Sequence, residues 1–138
     1  MSAEFTLEFE ADVANLLRAD RGVAEFAARM DWNEETLFQI RLVLEEVIVN
    51  VISYGCEPGR PARIVVHLQQ EDGTLSMDIS DTGLAFDPLQ RPPPDLDAAL
   101  EDRPIGGLGI HLIRTMMDSV SYRRDGEWNR LSVSKTLA

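Results

Sequence analysis

From Glu4 to Glu10 the chain alternates polar residues with Phe5, Leu7 and Phe9, the two-residue period of a strand with one buried face. Asp12 then offers a capping side chain for a helix from Val13 to about Met30, whose apolar stripe is Val13, Leu16, Leu17, Val23, Phe26 and Ala27. Gly22 falls in its middle and predicts a bend or break there. Asn33 caps a second helix, with Glu34 and Glu35 in the first turn, where the macrodipole favours acids. Leu37, Ile40, Leu44, Val47, Val51 and Ile52 form its apolar stripe, and Gly55 ends it. Residues 56–61, Cys-Glu-Pro-Gly-Arg-Pro, read as a loop. Arg63–Gln70 and Thr74–Ser80 are strands joined by Glu71-Asp72-Gly73, a hairpin signal, with Leu75, Met77 and Ile79 on one face. Residues 88–104 carry five of the seven prolines and are too long for a plain connection, which predicts a lid or binding loop. Gly106-Gly107-Leu108-Gly109 leads into a helix from about Ile110 to Met117. Ser119–Arg124 and Asn129–Thr136 then form a second hairpin around Asp125-Gly126. The expected fold class is an α/β (α+β) two-layer sandwich, a mostly antiparallel mixed sheet with helices on one face, as a single domain over residues 1–138.

Composition narrows the partners. With 44% hydrophobic residues among 138, one domain can bury a core of its own. The formal charge of −11 argues against binding the phosphate backbone of a nucleic acid and favours basic protein partners. A single cysteine, Cys56, excludes an internal disulfide, and two histidines, His67 and His111, leave no Cys/His metal cluster. The opening Met-Ser-Ala-Glu-Phe has neither the basic nor the apolar part of a signal segment, and no apolar run approaches about 18 residues. A cytoplasmic protein without a membrane partner is the expectation.

Three separated segments could carry chemistry. Glu46 and Asn50 are four residues apart on the second helix, hence about 40° apart on one face. A carboxylate and a carboxamide set among apolar residues could activate a hydroxyl or water and hold a hard cation through oxygen. A salt-bridged edge and a capped turn would explain the same residues. Glu45 lies about 140° from Asn50 on another face, where Arg41 can pair with it. Asp81 stands just past a strand end, placed to accept a hydrogen bond from a ligand's amino group, and Gly83 lets the backbone approach a flat ring. Gly106-Gly107-Leu108-Gly109 ahead of a helix would expose N–H groups to phosphate. A turn aspartate and a glycine hinge are the plainer alternatives. There is no Gly-Lys-Ser/Thr, and the only lysine is Lys135, so a P-loop is excluded.

In combination and in this order, the segments resemble the GHKL-type ATP-binding domain, of Bergerat-type fold, shared by gyrase, Hsp90, histidine kinases and anti-sigma-factor kinases. Glu46-Val-Ile-Val-Asn50 matches its N-box, Asp81-x-Gly83-x-x-Phe86-Asp87-Pro88 its first glycine box, and Gly106-Gly107-Leu108-Gly109-Ile110 its second. The resemblance covers nearly the whole chain and is nearest to the stand-alone anti-sigma-factor serine/threonine kinases. Residues 1–45 are too few for a dimerisation helix with a phosphoacceptor histidine, so a histidine-kinase fragment is not expected.

The resemblance implies ATP and Mg²⁺ as cofactors, Glu46 as general base and Asn50 as the Mg²⁺ ligand. It implies that Asp81 binds the adenine amino group, Gly83 admits the ring, Phe86 belongs to the same box, and Gly106, Gly107 and Gly109 cradle phosphates. The lid would span roughly residues 88–105, and Arg103 is the candidate cationic phosphate contact because the lid lacks lysine. Tyr54 stands where many relatives carry histidine, Ala85 replaces a frequent glycine, and the lid is rich in proline. The implied activity is an anti-sigma-factor kinase that binds a sigma factor and phosphorylates a STAS-domain anti-anti-sigma protein. Alternatives are a non-catalytic ATP-binding module acting by sequestration and an ATPase component of a signalling assembly. The strand at Phe5, Leu7 and Phe9 is expected at a sheet edge, where it could pair two copies in a homodimer.

Overall fold

The computed structural model describes residues 2–56, 59–85 and 113–137. In chain order it contains β1 (Ser2–Glu10), α1 (Val13–Arg29), α2 (Glu34–Asn50), a π-helical turn (Val51–Gly55), β2 (Arg63–Glu71), β3 (Thr74–Asp81), β4 (Ser119–Asp125) and β5 (Trp128–Thr136). Residues 113–116 are helical, and the proline-rich stretch and second glycine motif lie outside the described residues.

The strands form one sheet in the order β1-β2-β3-β5-β4, and all its pairings are antiparallel. The parallel pair that a mixed sheet would contain does not occur among the described residues. Strand β1 lies at one edge, as its alternation suggested, and β4 at the other. Both hairpins follow from their turns. Asp72 and Gly73 have φ of 50° and 82°, the double left-handed turn whose twist matches that of a two-residue hairpin.

Both helices lie on one face of the sheet, in two layers. Ile64, Val66 and Leu68 of β2, Leu75, Met77 and Ile79 of β3, and Leu131 and Val133 of β5 point into a core shared with Val23 and Phe26 of α1 and Ile40, Val43, Leu44 and Ile48 of α2. The caps read from the sequence are formed. Asp12 Oδ1 accepts from Asn15 N at 2.7 Å, and Asn33 Oδ1 from Thr36 N at 2.8 Å, each satisfying a helix-end donor. Trp32, between the helices, packs edge-on against Phe26 and donates its indole N–H to Gln70 at 2.7 Å, tying the connection to the sheet. No helix among the described residues is long and apolar enough to cross a membrane.

Two expectations are corrected by packing. Helix α1 runs unbroken through Gly22. The glycine is there for space, because a Cβ at this position would sit 2.5 Å from the Phe5 ring of β1. Arg41 forms its ion pair with Asp20 of α1, at 3.6 Å, rather than with Glu45. Glu45 instead lies against Asp20, and a proton shared between the two carboxyls, with burial and the Asp20 charge, pushes the Glu45 carboxyl up to about 7 against the opposing pull of Arg41.

Candidate functional site

Helix α2 carries an apolar face into the core, and its C-terminal end delivers Asn50 to the ends of β3 and β5. Immediately after Asn50 the helix widens into the π turn, a local distortion that often marks functional positions. Val47, Asn50, Val51 and Gly55 from this region join Asp81 and Leu84 from β3 and the loop after it, and Tyr122, Asn129 and Leu131 from β4 and β5, around a cavity. The walls are mostly apolar, with a few convergent polar groups, the usual make-up of a small-molecule pocket.

Asn50 is only 5% exposed, and neither its Oδ1 nor its Nδ2 has a hydrogen-bond partner among the described residues. Leaving buried polar atoms unsatisfied costs about 1–3 kcal/mol each, so a carboxamide held this way at a cavity wall offers hydrogen-bonding capacity to that space. Its Oδ1 is a hard neutral donor, suited to a hard cation. No group of three or more His, Cys, Asp or Glu residues occurs among the described residues that could cage a metal. The Asn50 oxygen as a hard donor fits Mg²⁺, which keeps several waters and is usually shared between one or two protein oxygens and substrate phosphates. Glu46 lies one turn earlier on α2, half-buried with one carboxylate oxygen enclosed, and does not line the cavity.

Asp81 is 6% exposed at the end of β3. Its Oδ1 accepts from Gly83 N at 2.9 Å and from Asn129 Nδ2 at 2.9 Å. Burial pushes its pKa up, while the Asn129 and Gly83 hydrogen bonds and the positive charge of Arg124 pull the other way. The carboxylate is thus desolvated but oriented, with one oxygen engaged by the protein. Gly83 has a steric reason to be glycine. A Cβ there would meet Gly55 O at 2.6 Å and Asp81 Oδ1 at 2.9 Å, so the residue permits backbone to pack on backbone at the cavity wall. Leu84 N donates to the same Gly55 carbonyl at 2.9 Å, locking the loop after β3 to the end of the π turn.

Asn129 and Tyr122 were not singled out from the sequence. Asn129 faces Asp81 directly in the β3–β5 register. Its Nδ2 also donates to Leu84 O at 2.9 Å, and its Oδ1 accepts from the Tyr122 hydroxyl at 2.5 Å. A signal was available: Asn129 has the same strand parity as the buried Leu131 and Val133, and a carboxamide on an apolar face requires hydrogen-bond partners.

Of the residues expected to act together, Asn50, Asp81 and Gly83 come together at the cavity or its wall, and Glu46 stands on the adjoining helical turn. Phe86, Arg103, Gly106, Gly107 and Gly109 lie outside the described residues.

The profile of the histidine kinase-like ATPase domain matches residues 9–135. The serine/threonine-protein kinase BtrW of Bordetella bronchiseptica is 33% identical over 133 residues, 96% of this chain and 94% of that protein. The anti-sigma F factor of Bacillus subtilis is 30% identical over 144 aligned positions, covering 99% of each. The serine-protein kinase RsbW of Listeria monocytogenes is 26% identical, over 91% of this chain and 82% of its own length.

Proposed function

The chain belongs to the histidine kinase-like ATPase family, and from that premise we propose that it is an ATP-dependent serine/threonine protein kinase of the anti-sigma type. It binds a sigma factor and phosphorylates a STAS-domain antagonist. The observation that carries the nucleotide reading is the cavity itself, where the oriented Asp81 carboxylate and the Asn50 carboxamide, without a partner among the described residues, line the same space. The relatives named as serine or serine/threonine kinases and as an anti-sigma factor, aligned over most of their lengths, support the choice of activity.

In this reading Asp81 accepts a hydrogen bond from the exocyclic amine of adenine. Its second oxygen serves this role, because the first is held by Gly83 and Asn129. Val47, Val51, Leu84 and Leu131 supply apolar walls for the ring. Mg²⁺, when held by Asn50 Oδ1 and phosphate oxygens, supplies charge neutralisation for phosphoryl transfer. Glu46 takes the proton from the serine or threonine hydroxyl as its oxygen attacks the γ-phosphorus and ADP departs. Phe86, Gly106, Gly107, Gly109 and Arg103 complete the phosphate side in this proposal.

Incubation with γ-labelled ATP, Mg²⁺ and a cognate STAS protein tests the reading. Label on a serine or threonine of the partner is the expected result. Tight ATP binding with no transfer to any such partner would reject the kinase activity and leave partner sequestration.

A further inference from the structure

Beyond the Asp81 cavity, a second and wider opening lies across the Gly55–Leu84 contact, sharing those two residues with the first. In a chain with a net charge of −11, three of the 13 basic residues converge on it: Arg60, Arg63 and Arg124. Glu127 is the acid on its lining, and Thr82 adds a hydroxyl. The three arginines come from separate places, the loop before β2, the start of β2 and the end of β4. Only the folded sheet gathers them.

Arg63 and Arg124 each have described partners. Arg63 uses Nε and Nη2 on Glu8 Oε1, at 3.1 and 2.6 Å, at an exposed pair. Arg124 gives Nε to Gly126 O and Nη1 to Gly83 O, each at 2.9 Å. Of the five N–H donors on each group, these bonds among the described residues engage two apiece. Guanidinium forks match the oxygens of phosphate, and an oxyanion suits an opening lined by three arginines.

We propose that the Arg60–Arg63–Arg124 cavity binds a phosphate-type oxyanion, and that its occupancy is transmitted through Arg124 and Gly83 to the Asp81 cavity. The link is physical and short. Gly83 donates its N–H to Asp81 Oδ1, and its carbonyl accepts from Arg124 Nη1. An anion drawing on Arg124 competes with the Gly83 carbonyl and screens the positive charge that favours the ionised form of Asp81. Both effects weaken Asp81 as an acceptor for the ligand amine. Binding of the anion and of ATP is therefore mutually unfavourable, and the linkage is reciprocal. The coupling rests on reading the Asp81 cavity as the adenine pocket, whereas the anion site does not.

The test uses ¹⁵N-labelled full-length protein without nucleotide, titrated with inorganic phosphate at ionic strength held constant by chloride. Saturable shifts of the Gly83 amide and the Arg124 Nε–H are expected. The Kd for ATP should rise about fivefold or more at saturating phosphate, the lower range of ordinary coupling between sites. Arg60→Gln should keep the phosphate-free ATP affinity and lose the phosphate effect, which separates this site from phosphate competing in the nucleotide pocket. Phosphoserine as a second probe assigns the source: tighter binding than inorganic phosphate points to a phosphorylated protein side chain, and weaker binding to the free ion. Shifts that grow linearly, match chloride, or persist in Arg60→Gln overturn the site. Saturable binding with unchanged ATP affinity overturns the coupling. Saturable phosphate binding in a protein that never binds ATP supports the site and rejects the nucleotide reading instead.

Discussion

Replacing Asp81 by asparagine tests the adenine contact while leaving the packing of the cavity almost unchanged. In the wild type, Oδ1 holds the Gly83 N–H and the Asn129 amide, both at 2.9 Å. An asparagine keeps those two bonds by placing its own carbonyl oxygen there, which turns its NH₂ toward the cavity. The ligand amine then meets a donor where it had met a carboxylate oxygen. Loss of one hydrogen bond to a charged group is worth about 1.5–3 kcal/mol. That corresponds to a rise of roughly 10- to 150-fold in the Kd for ATP by calorimetry. Stability should move the other way. Burial is the largest influence on Asp81 and disfavours its charge, so the neutral isostere should leave Tm unchanged or raise it. Inosine triphosphate sharpens the test, because its 6-oxo group accepts where adenine donates: the variant should lose or reverse the wild-type preference for ATP. An unchanged Kd, or weaker binding accompanied by a lower Tm, would refute the assignment.

Four further outcomes are expected. Glu46→Gln should retain ATP binding and slow phosphate transfer by roughly 10²–10⁴-fold, the usual worth of a positioned base, whereas Glu45→Gln should transfer at close to the wild-type rate. Asn50→Ala should abolish the magnesium dependence of ATP binding in calorimetry without lowering Tm, since it removes a buried carboxamide that has no partner among the described residues. The Glu45–Asp20 contact should make stability pH-dependent. Because the folded-state pKa of Glu45 is raised from 4.5 to about 7, its contribution is complete below 4.5 and is lost as pH rises through 7. The difference in Tm between wild type and Glu45→Gln should therefore shrink or change sign across that window. At the β1 edge, the exposed side of the strand should pair two copies, and light scattering at micromolar concentration should give twice the mass of one chain; a monomeric mass rejects the pairing.

The local elements were legible because their causes are local. Alternation at Phe5, Leu7 and Phe9, the caps at Asp12 and Asn33, and the Asp72-Gly73 turn each act within a few residues. The motif around Glu46 and Asn50 and the Asp81–Gly83 pair were likewise readable, since they combine a short spacing with residue types that are costly to bury. What the sequence could not determine was which distant residues would meet. Gly22 is a helix-weakening residue by propensity, yet the Phe5 ring occupies the space that a Cβ there would need. Arg41 has Glu45 at helical spacing, yet Asp20 on the neighbouring helix takes the ion pair. Asn129 and Tyr122 orient Asp81 only because β5 lies between β3 and β4, a strand order that periodicity does not encode. Arg60, Arg63 and Arg124 are unremarkable along the chain and come to line one opening only in the folded sheet. Spacing along a chain reports one face of one element; the sheet decides which faces and ends share a cavity.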